Sequence, residues 1–338
     1  MANRRAAIPP KPTPNSEPKG EDVRVTDTPA LAPVPPSGQQ FHLRHGAQAA
    51  VVTEVGATLR SYTVAGRELL DGFDGLERCR DGRGQLLLPW PNRIAGGRYR
   101  FQGQDFQLPL DEQDRQNAIH GLARWLRWVP EAASAHVVVL SLMLFPQPGY
   151  DFALSARVEY RLGDDGLRVS VTATNLGAGP LPWGLGAHPY LTLGSPRVDD
   201  LEIRVPAELR LPVDSGLIPV GAPVPVAGTE FDFRHWRRLG ALPLDTTFTG
   251  LIPDEGGRAV VELRLPSSPD RLRLWMDPSQ RYVQLFTGDS LPDPRGRRRG
   301  LAVEPMTCAP NAFRSGDGLL TLRPGQSTTS TWGVHLSR

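Results

Sequence analysis

The stretch FALSARVEYRLGDDGLRVSVTA, residues 152–173, decides the fold. In an extended chain Phe152, Leu154, Ala156, Val158 and Tyr160 share one face, and Leu167, Val169, Val171 and Ala173 share one after Gly163-Asp164-Asp165-Gly166. The residues between them, including Arg157, Glu159, Arg168 and Thr172, are mostly polar, so each segment has a dry face and a wetter one. Two such runs about a Gly- and Asp-rich turn make a hairpin in an antiparallel sheet.

The same texture recurs at 49–55, 201–205, 259–265, 271–276, 282–286 and 330–335, while no window of helical length carries a sustained 3.6-residue apolar repeat. So many strands without helices must pack sheet on sheet or close into a barrel, and no internal repeat suggests a propeller. The predicted fold is all-β, a single large antiparallel β-sandwich over residues 41–338, with a concave sheet face as the natural ligand site. The 35 glycines and 34 prolines suit its many turns. Residues 1–40 differ, with nine prolines and no aromatic residue. They bury too little apolar surface to offset the entropy of ordering and are predicted to be a disordered tail.

A net charge of +2, from 38 basic and 36 acidic residues, gives no global field to draw the chain onto nucleic acid or an anionic membrane. The basic run at 295–299 sits among Pro292, Pro294, Gly296 and Gly300 and reads as a solvated loop tip, with a phosphate-binding patch a distant second. Cys79 and Cys308 are too few for a disulfide framework and have no metal-ligand spacing, which favours a reduced compartment. Arg4 and Arg5 are followed by no apolar region, and the longest apolar stretch, 135–145, contains His136 and Ser141 and is too short to span a bilayer. The expectation is a cytoplasmic protein, monomer or homodimer.

Separate clusters set a polar or ionisable residue among Gly, Pro and aromatic neighbours: Leu88-Pro89-Trp90-Pro91-Asn92-Arg93-Ile94, Asn117-Ala118-Ile119-His120-Gly121, Gly186-Ala187-His188-Pro189-Tyr190 and Val303-Glu304-Pro305-Met306-Thr307. The histidines lie where strand character yields to a turn, a usual place for a functional side chain on a rigid scaffold. Proline after His188 and after Glu304 biases both residues towards extended backbone. Taken singly each cluster has a plainer reading, since a lone His near a turn is more often surface or core and a lone Glu is usually solvated.

Taken in order, these clusters resemble the aldose 1-epimerase family of the galactose mutarotase-like fold. The resemblance runs from Phe41 to the C-terminus and adds Gly97, Tyr99, Phe101 and Gly103, then Leu244-Asp245-Thr246, and at the end Asn311-Ala312-Phe313-Arg314-Ser315-Gly316 and Leu322-Arg323-Pro324-Gly325. It implies a supersandwich that interconverts the α and β anomers of a free aldohexose such as glucose or galactose. It further implies His188 as general acid and Glu304 as general base, with Asn92, Arg93, His120, Tyr190 and Asp245 around the sugar and no metal or organic cofactor. The reaction needs a proton to leave the anomeric hydroxyl while another reaches the ring oxygen. A carboxylate beside an imidazolium favours both charged forms, so an ionised pair is expected.

One departure stands out. Many members follow the His-Pro-Tyr motif with Phe and Asn, whereas Leu191 and Thr192 follow here, which bears on substrate choice more than on the reaction. The remaining histidines, His42, His45, His136, His235 and His335, match no motif and read as surface or packing residues. Trp90, Trp125, Trp128, Trp183 and Trp275 read as core or pocket wall. The rival readings are a hexose-phosphate mutarotase, which needs cations at the phosphate end, and a non-catalytic sugar-binding module on the same fold. A glycosidase would have to pair Glu304 with Asp245 and leave His188 without a role.

Overall fold

The computed structural model describes residues 34–195 and 197–337. Its centre is the hairpin read from the sequence. Strands Leu154–Gly163 and Gly166–Asn175 pair antiparallel from Leu154 opposite Asn175 to Gly163 opposite Gly166, and the alternate residues Leu154, Ala156, Val158, Tyr160, Leu167, Val169, Val171 and Ala173 are all buried. This hairpin lies within a nine-stranded sheet ordered Val129–Ala133, Val137–Leu144, Leu154–Gly163, Gly166–Asn175, Ser327–Ser337, Arg271–Met276, Ala259–Arg264, Glu202–Arg204 and Arg237–Arg238. The C-terminal strand therefore sits mid-sheet and ties the hairpin to the 259–276 strands.

A second, eight-stranded sheet contains Ala207–Arg210, Asp245–Leu251, Tyr282–Phe286, Leu301–Met306, Gly186–Ala187 and Leu86–Leu87 in that order, with Tyr190–Leu191 also paired to Leu301–Met306. Every ladder between named strands is antiparallel among the described residues. One continuous apolar core runs from Phe41 through the hairpin to Val334, and the only α-helix among the described residues is the single turn Ala312–Ser315. Sheet on sheet, as the alternation required, is the result.

Strand Leu301–Met306 is buried at every position, because its two faces meet the core and the floor of a cavity. Glu304 stands opposite Gln284, which stands opposite Thr247, and Asp245 stands opposite Phe286. Since residues two apart share a face, Asp245, Gln284, Phe286 and Glu304 all point into the same cavity.

Arg295, Arg297 and Arg299 are exposed, as a loop tip should be, and Arg298 alone departs from that reading. Arg298 is buried, donating to Asp199, to Asp289 at 2.9 Å and to the Gly240 carbonyl at 2.6 Å, while Arg295 pairs with Asp293 and Arg299 with Asp71. Asp199 and Asp71, which hold Arg298 and Arg299, come from segments the local sequence does not disclose. No helix among the described residues is long and apolar enough to cross a membrane. Both cysteines are free and buried, and burial pushes each thiol up to about 12.

The tail read as disordered lies outside the described residues up to position 33, but packing has already begun before Phe41. Ser37 is buried and its carbonyl accepts from the Val55 amide at 3.0 Å, while the Gly38 amide donates to Pro35 at 2.8 Å. We therefore expect deletion of residues 1–33 to leave the melting temperature and sugar turnover unchanged. Deletion through residue 40 should lower Tm by a few degrees, at roughly 2–4 °C per kcal/mol, because it strips these contacts from the segment around Val55. Calorimetry of the two truncations checks both, and a large loss in the shorter deletion contradicts the dispensable tail.

Candidate active site

The motif residues come together because three strand pairs end at the same place. Strands Arg93–Ala95 and Asn117–Ile119 pair, and just beyond them Asn92 and His120 adopt left-handed backbone with φ of 55° and 64°. There the two residues bond reciprocally. The His120 amide donates to the Asn92 carbonyl at 2.9 Å, and the Asn92 amide donates to His120 Nδ1 at 3.2 Å. An Nδ1 that accepts leaves the neutral ring's proton on Nε2, so His120 presents a donor. Gly121 is required next, since a Cβ there would lie 2.1 Å from the Leu88 carbonyl oxygen.

His188 sits between Gly186–Ala187 and Tyr190–Leu191, both paired to the strand that carries Glu304. Its Nε2 lies 3.3 Å from Glu304 Oε1. The imidazole stacks on Tyr190, with centroids 5.0 Å apart and planes 7° apart, and meets the His120 ring edge-on at 5.3 Å. His188 is 4% exposed and Glu304 2%. Neither His188 Nδ1 nor Glu304 Oε2 has a hydrogen-bond partner among the described residues.

Burial decides the protonation of this pair. It pushes the His188 imidazole down to about 3, with the charges of Arg83, Arg124 and Arg93 acting in the same sense. It pushes Glu304 well above the carboxylate range, helped by Asp245 and opposed by Arg93. His120 is likewise held well below the usual histidine value by burial, then by His188, Arg124 and Arg93. Burial thus works against the expected imidazolium–carboxylate pair. Desolvation disfavours the charged form of each group, so the two shifts run towards a neutral imidazole and a neutral carboxylic acid.

All the residues implied by the resemblance, Asn92, Arg93, His120, His188, Tyr190, Asp245 and Glu304, line one cavity of about 580 Å³. Arg93 is fixed by Glu112, which accepts from Nε at 2.9 Å and from Nη2 at 2.9 Å, and its Nη2 lies 3.9 Å from Asp245 Oδ2. Asp245 accepts from Gln284 Nε2, whose own carbonyl accepts from Thr247. Tyr190 differs from a simple hydroxyl contact, because its phenol already donates to the Asp81 carbonyl at 3.0 Å and it offers the cavity its ring. Glu112 and Gln284 carry no motif in the sequence; for Gln284 the signal is its place opposite Glu304, visible only once the register is known.

Leu191 and Thr192 do not line the cavity. Leu191 belongs to the apolar core, and the Thr192 hydroxyl accepts from the Gly194 amide at 3.2 Å, so this departure acts on packing rather than on a bound ligand. Trp90, Trp128 and Trp183 are core, and Trp275 is buried beneath Arg258. Trp125, 48% exposed, stands at the cavity mouth. Among the described residues no group of three or more His, Cys, Asp or Glu side chains is arranged to hold a metal ion.

An antiparallel supersandwich with a desolvated His–Glu pair at the floor of a polar cavity defines a class of acid–base site. The aldose 1-epimerase family model matches residues 39–335. An uncharacterized protein of Escherichia coli, YihR, is 36% identical over 291 residues, covering 86% of this chain and 91% of its own. The galactose mutarotase of Rattus norvegicus is 31% identical over 64% of this chain and 67% of its own, and the aldose 1-epimerase of Escherichia coli 28% identical over 90% and 97%. A solved aldose epimerase homologue from C. elegans superposes with a TM-score of 0.80 at 21% identity, covering 89% of this chain and 99% of that one. The chain belongs to the aldose 1-epimerase family, whose members are carbohydrate isomerases.

The burial of the pair predicts a spectroscopic result. In histidine ¹⁵N spectra, His188 and His120 should keep neutral-ring shifts down to about pH 5, below the ordinary imidazole range. A His188 signal titrating near the ordinary value would show that water reaches the pair.

Proposed function

We propose that the protein is a mutarotase of a free aldohexose that opens and recloses the sugar ring through the His188–Glu304 pair. The observation that carries this reading is the buried His188–Glu304 pair, 3.3 Å apart at the floor of a polar cavity. Ring opening needs a base at the anomeric hydroxyl and an acid at the ring oxygen at once. When a sugar donates its hydroxyl to Glu304 and offers its ring oxygen to His188, it supplies the hydrogen bonds that favour the carboxylate and the imidazolium. The proton already in the pair then sits on His188 as the acid. Glu304 takes the hydroxyl proton, the ring opens to the aldehyde, and rotation about C1–C2 precedes reclosure with the two roles exchanged. His120 Nε2–H, the Arg93 fork and the Asp245 carboxylate orient the hydroxyls.

A phosphorylated hexose is a second reading, favoured by Arg78, Arg80 and Arg124 in the same cavity wall rather than by the run at 295–299. Arg80 is engaged by Glu77 at 3.0 Å and Arg124 by Asp111 at 2.8 Å. The wall also carries Asp81, Asp111, Glu112, Asp245 and Asp293, a balance of charge that ranks the neutral sugar first.

Polarimetry of freshly dissolved α-D-glucose, α-D-galactose and glucose 6-phosphate decides between them. Glu304→Gln and His188→Asn should each lower kcat by at least about two orders of magnitude, since a positioned acid or base contributes roughly 10²- to 10⁴-fold. The double variant should be little worse than the weaker single one, because the pair acts as a unit. Arg93→Ala and Asp245→Ala should spread their losses over kcat and KM. Near-normal turnover in both pair variants would favour the non-catalytic sugar-binding module.

The pH profile reports the pair as one-proton chemistry. Activity should fall only where the pair gains a second proton, far below the ordinary histidine value, or loses its only one, above the ordinary carboxylate value. The wild-type kcat/KM is expected to show no acid limb through the ordinary imidazole range. An acid limb near the unperturbed imidazole value of about 6.5 would contradict it.

A further inference from the structure

His188 is gripped by a loop outside every motif, residues 81–85. The Gly84 amide donates to the His188 carbonyl at 2.9 Å, and the His188 amide donates to the Gln85 carbonyl at 3.0 Å. The Tyr190 hydroxyl donates to the Asp81 carbonyl at 3.0 Å. The Arg83 guanidinium lies over the Tyr190 ring, 4.5 Å from its centroid, on the ring that in turn stacks on His188. Gly82 has a φ of 75°, and a Cβ on it would come within 2.8 Å of the imidazole Cδ2.

Arg83 is buried yet does not line the cavity, so it makes no contact with a sugar there. Asp71 holds it at 3.2 Å, Asp81 at 2.5 Å and the Gly296 carbonyl at 3.3 Å. Burying a cation behind an aromatic ring costs desolvation that an apolar residue of similar size would not. What the cation supplies is a fixed electrostatic hold on the ring face and a positive field along the column Arg83, Tyr190, His188.

We propose that Arg83 and Gly82 are positioning residues for the proton-transfer step: Arg83, pinned by Asp71 and Asp81, fixes the Tyr190 ring on which the His188 imidazole rests, and Gly82 leaves the space that imidazole occupies. This rests on the reading of His188 as the acid. The charged and titratable groups around His188 are Glu304 on its own sheet, with Asp245 beyond it, His120 and Arg124 from the neighbouring loop, Arg93, and Tyr190 backed by Arg83, Asp71 and Asp81. Removing Arg83 takes a cation from behind Tyr190, leaves Asp81 unneutralised and Asp71 with Arg299 alone, and favours a proton on His188. Both limbs of the kcat/KM profile then move to higher pH.

Gly82→Ala, Arg83→Met and Arg83→Lys, checked for native circular dichroism, test this by polarimetry beside His188→Asn. Gly82→Ala and Arg83→Met should each lower kcat about tenfold or more with KM changed by less than about twofold, since small misplacements of a reacting group cost turnover rather than binding. Arg83→Met should also shift the profile upward, and Arg83→Lys should restore the wild-type profile and part of kcat. Should Arg83→Met not fold, Gly82→Ala and Arg83→Lys decide. Wild-type kcat and pH profile in the folded variants beside an inactive His188→Asn overturns the positioning role alone. Turnover retained in His188→Asn overturns the acid assignment and this proposal with it.

Discussion

The exclusion of water from one imidazole and one carboxyl group is the constraint on which the site depends. Charge on either group is expensive where the strands of the eight-stranded sheet and the 81–85 loop close around them, and burial moves His188 down and Glu304 up, each towards its neutral form. A neutral pair at close range is still a complete acid–base couple, because moving its proton from oxygen to nitrogen creates the charged form without exchange with bulk water.

That arrangement asks much of the scaffold, and the sandwich answers it with register. Strand Leu301–Met306 is central to its sheet, so Glu304 cannot slide without moving Gln284 and its neighbours. Hydrogen bonds run from Thr247 to Gln284 and from Gln284 to Asp245, and ion pairing holds Arg93 on Glu112, so the polar wall is set before any ligand enters. On the other side, the left-handed turns at Asn92 and His120 lock two loops together through their own backbones.

Much of this was legible in the sequence, and the illegible remainder has physical causes. The 152–173 hairpin declared itself because one of its faces is wetter, which writes the core into alternate residues. Strand Leu301–Met306 is buried on both faces and contains Pro305, so it shows no alternation and is conspicuous only through its motif. Two-residue strands such as Val224–Pro225 and Arg237–Arg238 are too short to carry a period at all. The motif residues converge as the resemblance implied, but their neighbours Glu112, Gln284 and Arg83 reach the site or its wall through pairings between distant segments. The protonation of His188 and Glu304 was equally hidden, because residue identity names the groups while burial sets their charge.

The separation between floor and rim bears on substrate choice. The floor is a closed hydrogen-bonded unit whose members each hold another in place, so a change there disturbs the chemistry itself. The rim is different: Arg78 and Trp125 are exposed at the mouth, with the Arg78 guanidinium 5.5 Å from the indole centroid, and nothing at the floor leans on them. Leu191 and Thr192, the departure visible in sequence, are packed behind the cavity and touch neither layer's ligand-facing surface. A side chain at the rim can therefore be exchanged without disturbing the hydrogen bonds of the floor.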